Sequence, residues 1–159
     1  MGIRNTAKAM IIRGESILLN RCRDENNGEY YSLPGGGQNQ YETMNQALIR
    51  ECLEETGNKV KIVRFAALCE EICMDEDFRE KYPDYAHKMY HVFMCEIEQE
   101  NCMEPTEVDD MQVGSEWVGL EQLKSIRLLP ALIGNNITNL LETDVPRFLG
   151  SEHIGKNHG

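Results

Sequence analysis

The sequence has no apolar run long enough to cross a membrane, no CxxC pair, no internal repeat and no low-complexity segment. Each absence excludes something. A spanning helix needs about 20 consecutive apolar residues, so no membrane association is expected, and no signal peptide is recognisable. Six cysteines, Cys22, Cys52, Cys69, Cys73, Cys95 and Cys102, are scattered through strand-like and helical segments. They read as reduced core residues of a cytoplasmic protein and not as a disulfide framework. Cys69 and Cys73 with His87 or His91 match no common zinc spacing. Basic charge is also scarce, with 16 Lys and Arg against 27 Asp and Glu and a net charge of −11. Binding to a nucleic acid polymer relies on Lys and Arg surfaces, so that partner class is not expected. A small anion screened by a divalent cation remains compatible.

At 159 residues the chain is long enough for one domain with a real core. One domain is expected over residues 1–149, followed by a loose tail over 150–159. The stretch that organises it is Leu33 to Gly57, LPGGGQNQYETMNQALIRECLEETG. Thr43 is a good N-cap, Gln46 completes a capping box, and Gly57 sits where a C′ glycine closes a helix, which predicts a helix from Met44 to Thr56. At about 100° per residue, Met44, Ala47 and Leu48 share an arc that Glu51 and Glu55 continue, with Glu54 at its edge. The inward stripe thus turns from apolar to anionic.

Folding alone does not favour that placement. Like charges three and four residues apart repel, and the last turns of a helix disfavour anions. One reading is a solvated acidic face, the usual fate of Glu runs. The other is a site for a hard cation such as Mg²⁺ or Mn²⁺, which takes carboxylate oxygens and substrate phosphates. Gly35, Gly36 and Gly37 just before the helix leave the backbone bare, so that amides can approach an anion. Together the two features suggest a metal-bridged phosphate.

These residues carry a resemblance. Gly36, five residues, Glu42, seven residues, Arg50-Glu51, two residues, Glu54-Glu55, one residue and Gly57 resembles the signature of the Nudix hydrolases, the MutT-like family. Cys52 and Asn58 depart from it, standing where aliphatic residues are usual; neither removes a charged member. The resemblance implies an α/β fold, an α/β/α sandwich around a mixed β-sheet. It implies hydrolysis of a nucleoside diphosphate linked to another moiety, by water attack on phosphorus with Mg²⁺ as cofactor and Mn²⁺ as a substitute. Glu51, Glu54 and Glu55 match the family's metal-binding glutamates, with Glu54 or Glu51 also able to take the proton. Arg50 holds a carboxylate, pairing with Glu42, and Gly35 to Gly37 shape the turn that meets the substrate. A further acidic residue ahead of the Trp-containing strand often acts as base or ligand, and Asp110 and Glu107 are the candidates. Dimerisation is common among such proteins, and the sequence does not decide it. The rival reading is a non-catalytic Nudix-fold module that binds a nucleotide without cleaving it; such proteins usually lose charged motif residues, all of which are present here.

The flanks are less specific. Residues from Thr6 to Ile12 and from Ser16 to Arg21 read as a hairpin. Arg21 and Arg23 then precede the glycines, either as solvated strand-end charges or as guanidinium groups reaching substrate phosphate. Val60 to Ile72 and His87 to Ile97 read as strands, with His87 and His91 on one side of the second. The polar segment from Met74 to Ala86 carries Phe78, Tyr82 and Tyr85, as a mobile hairpin loop or as a lid that stacks a base or touches a partner subunit. Glu116 to Val118 reads as a short strand, Leu120 to Ile126 as a short helix and Leu129 to Leu141 as a last amphipathic helix.

Overall fold

In a computed structural model of the chain, residues 2–106 and 111–158 are described. Strands β1 (Arg4–Arg13) and β2 (Ser16–Asp24) form the expected hairpin, with Ile11 opposite Leu18. Strand β3 (Gly28–Ser32) pairs back on β2, and a short β4 (Gly35–Gly37) pairs antiparallel with β1. Helix α1 spans Met44–Thr56 as its caps require. The Thr43 hydroxyl accepts the Gln46 N–H at 3.1 Å and the Gln46 side chain accepts the Thr43 N–H at 2.9 Å, while Gly57 adopts φ 77° and donates to the Leu53 carbonyl.

After α1 come β5 (Lys59–Cys73), α2 (Glu76–Lys81), β6 (His87–Gln99), β7 (Gln112–Gly119), β8 (Leu128–Leu129), α3 (Ala131–Gly134), α4 (Ile137–Glu142) and β9 (Arg147–Ile154). The sheet is mixed, in the order β8-β3-β2-β1-β6-β5-β9, with β4 also on β1 and β7 also on β2. Strands β1 and β6 run parallel at its centre. One face packs Ala47, Leu48 and Cys52 of α1 onto Ala7, Ala9, Ile11 and Phe93. The other packs Ile133, Ile137 and Leu140 onto Met10, Ile17, Leu19 and Val92. This is the expected α/β/α sandwich, and it fixes the C-terminal half of α1 beside the glycine segment.

Several local expectations are corrected. The segment from Met74 to Ala86 is not an unstructured loop: Asp75 caps α2 by accepting the N–H groups of Asp77 and Phe78, and a 3₁₀ turn follows at Pro83–Tyr85. Only Leu120–Gln122 of the helix expected after β7 is helical, as a 3₁₀ turn. The last helix is split, because Pro130 cannot continue a helix from Leu129 and the Gly134-Asn135-Asn136 stretch breaks the remainder, with Asn136 at φ −114°. Its apolar spacing survives, since Ile133, Ile137 and Leu140 are all buried. The tail from residue 150 is not loose. Through Ile154 it belongs to β9, held parallel to β5 by backbone pairing, and His158 beyond it is buried. All six cysteines are free thiols, five of them buried. Among the described residues no helix is long and apolar enough to cross a membrane.

Candidate active site

Arg50 is the organising cation. Its Nε and Nη2 donate to the two carboxylate oxygens of Glu42 at 2.8 and 2.9 Å. Nη1 donates to Glu51 at 2.8 Å and to Glu54 at 3.2 Å. Nη2 also reaches the Gly37 carbonyl at 3.0 Å. A guanidinium has five donors in a fixed fork, and these five contacts employ them all. The expected pairing of Arg50 with Glu42 is present, and the same fork also reaches Glu51 and Glu54. Hydrogen bonding from Arg50, with help from the Asn39 N–H, holds the Glu42 carboxyl down at about 2. Arg50 itself is held above its usual range, chiefly by Glu42.

Glu55 is turned elsewhere. Its Oε1 accepts the Gly35 N–H at 2.8 Å and the Asn20 side-chain amide at 3.2 Å. Burial pushes its carboxyl up to about 7, against the opposing effects of Lys8 and the Gly35 amide. The three glycines form a strand and not only a turn, and only Gly35 among them has a positive φ, at 134°. A Cβ there would lie 2.0 Å from the Ala7 carbonyl oxygen, and a Cβ on Gly36 would lie 2.6 Å from the Glu51 carboxylate. Glycine is therefore required at Gly35 by the backbone, while a side chain at Gly36 would displace the Glu51 carboxylate.

Among the described residues no three His, Cys, Asp or Glu side chains converge as a finished metal centre. The donor chemistry nevertheless fits a hard divalent cation. Glu51 and Glu54 share one guanidinium nitrogen, and Glu55 stands on the same helix beside bare glycine backbone. Anionic oxygens are the ligands such a cation takes.

Other expected residues are not brought together here. Strand alternation in β2 turns Asn20 and Cys22 toward Glu55 and Ser32. Arg21 and Arg23 therefore point to the opposite face, where they line a separate cavity of about 230 Å³ with Arg127; Arg23 pairs there with Glu29. Glu107 and Asp110 lie outside the described residues. His87 pairs with Glu70, and His91 Nδ1 lies 3.2 Å from the Thr6 carbonyl, both ordinary sheet contacts. Two residues went unrecognised in the sequence. Lys8 donates to the Leu33 and Gly35 carbonyls, and Asn20, held by the Ser115 hydroxyl, meets Glu55. The available signal was a polar residue inside each apolar strand.

The NUDIX domain family matches residues 3–136. The chain belongs to this family, whose members include hydrolases of phosphorus-containing acid anhydrides, and it is such a hydrolase. Solved structures with the same fold include a mutator MutT protein from Bacillus halodurans, 18% identical over 96% of this chain and 91% of that one, with a TM-score of 0.72. A NUDIX hydrolase from Nitrosomonas europaea is 17% identical over 89% and 90%, with a TM-score of 0.70. An ADP-ribose pyrophosphatase from Streptococcus suis is 20% identical over 92% and 99%, with a TM-score of 0.62. No curated protein matches the chain.

Proposed function

We propose that the chain is a metal-dependent pyrophosphohydrolase that cleaves the diphosphate bond of a small nucleoside diphosphate derivative and releases a nucleoside monophosphate. The observation that carries this reading is the convergence of Glu51 and Glu54 on Arg50 beside the glycine segment, with Glu55 anchored to Gly35. Glu51, Glu54 and Glu55 would hold Mg²⁺, or Mn²⁺ in its place, and the cation supplies neutralisation of the phosphate charge. Arg50 fixes the directions of Glu51 and Glu54. One of these two carboxylates accepts the proton of the attacking water, which requires a group within hydrogen-bond reach of it. Gly36 has no side chain, so the Glu51 carboxylate can lie directly against the backbone there. Six unbridged thiols support a reducing, cytoplasmic setting.

The test is chromatographic product analysis after incubation with a panel of nucleoside diphosphate derivatives, in Mg²⁺ and in EDTA. Release of a nucleoside monophosphate in Mg²⁺ alone is expected. Binding of a nucleotide without cleavage of any would favour the non-catalytic module.

A further inference from the structure

Beside the glycine segment lies a cavity of about 500 Å³. Gly35 and Gly36 form one end of it, and Phe78, Tyr82 and Tyr85 come from α2 and the turn after it. Three cations, Arg4, Lys8 and Lys88, line its floor on β1 and β6. That is a concentration of positive charge in a chain of net charge −11. Arg4 lies over the Tyr85 ring at 4.6 Å. The far wall is made by Asn157 and His158, well beyond the residues that match the family.

Residues 156–158 are tied down at each position. Lys156 pairs with Asp75, the cap of α2, at 3.3 Å. Asn157 accepts from the Asn27 side chain at 3.1 Å through its carbonyl, and from Lys88 at 3.2 Å through its side chain. The His158 carbonyl lies 3.4 Å from the Lys88 amine, and His158 Nε2 lies 2.7 Å from Glu71. Glu71, Lys88 and His158 are all buried, and Tyr90 donates to the second Glu71 oxygen. An ammonium group has three donors. The strap engages two of the Lys88 donors and leaves one for the cavity. The two Glu71 oxygens are meanwhile engaged by His158 and Tyr90.

We propose that residues 156–158 act as a strap that holds Lys88 against this cavity, and that Lys88 and Arg4 select substrates carrying a further phosphate beyond the scissile diphosphate. The proposal rests on the pyrophosphohydrolase reading for its substrate class. A neutral hexose in the same position gives Lys88 no anionic partner, whereas a phosphate gives it a charge-assisted hydrogen bond. The strap also joins α2 to the floor through Asp75, so it sets the width of the cavity between the aromatic side chains and the cations.

The experiment is calorimetric binding in EDTA, where metal-dependent hydrolysis does not compete, using a nucleoside triphosphate and the diphosphate-hexose of the same nucleoside. The intact chain is expected to bind the triphosphate about tenfold more tightly. Lys88→Met removes that preference and leaves hexose-derivative binding within about twofold, as expected for loss of one charged contact. A chain ending at Gly155 loses the same preference, because Lys88 loses both strap acceptors. Thermal melts of both variants show whether they fold, since the truncation also takes the His158 partner away from the buried Glu71. Equal affinity of the intact chain for the two ligands overturns the proposal, as does a truncation that keeps the preference or a Lys88→Met variant that weakens both ligands alike. A binding preference without Mg²⁺-dependent cleavage of any substrate defeats the hydrolase reading instead, so the two failures are distinguishable.

Discussion

The molecule contains two charged clusters of opposite construction. The Arg50 cluster draws all its partners from residues 37 to 54 and stays partly open, its side chains being 14 to 27% exposed. The Glu71 cluster joins residues 87 positions apart and is buried, with Glu71 at 2%, His158 at 4% and Lys88 at 6%, and it meets the cavity only through Lys88 and His158. An open cluster keeps its carboxylates available to an incoming cation and phosphate. A closed one resists rearrangement, because an unpaired buried charge is costly. Under the proposed function the first is the place for chemistry and the second a fastening for the wall of the cavity.

The two should therefore fail differently. Glu71→Ala strands Lys88 and His158 in the interior and is expected to cost about 3 kcal/mol of stability, read by urea unfolding. Arg50→Ala takes the guanidinium away from Glu42, Glu51 and Glu54 together and is expected to lower kcat/KM by about 100-fold, a loss comparable to removing a partner that orients metal ligands. Lysine does not rescue it, since one ammonium cannot replace a five-donor fork. If Arg50→Ala unfolds the protein as readily as Glu71→Ala, the contrast between the clusters is lost.

A smaller effect separates two carboxylates of the same motif by pH. Glu42 is held at about 2 by Arg50, below its ordinary 4.5. The unfolded chain binds the extra proton, so the contribution of Glu42 is complete above pH 4.5 and fades as pH falls toward 2. Glu55 is pushed up to about 7 by burial. Here the folded metal-free chain holds the proton, so its stability falls as pH rises from 4.5 through 7. Glu42→Gln should flatten the acid limb of the stability curve and Glu55→Gln the neutral limb, as measured by urea midpoints across pH; the reverse assignment would contradict the geometry.

The same contrast explains what was legible in the sequence. Helix α1 emerged with both caps because Thr43, Gln46 and Gly57 encode its ends locally, and the Arg50 pairs lie within the same stretch. Strand β9 was invisible because it is an exposed edge held by backbone pairing to β5, and its side chains show no clean alternation; Phe148 in it is 62% exposed. The Glu71, Lys88 and His158 cluster depends on that strand carrying the chain end back to the sheet, so no local pattern announces it. Arg21 and Arg23 show the converse. Nearness in sequence to the glycines suggested phosphate contact, while strand alternation turned them away and brought Asn20 in.

The most direct test of the central claim is turnover of Glu54→Gln in Mg²⁺ on whichever nucleoside diphosphate derivative the intact chain cleaves, with a melting curve alongside. Loss of about 1,000-fold or more in kcat with an unchanged melting temperature is the result predicted for a carboxylate that serves the reaction and not the fold. Turnover within tenfold of the intact chain would contradict the assignment of the α1 glutamates as the catalytic centre.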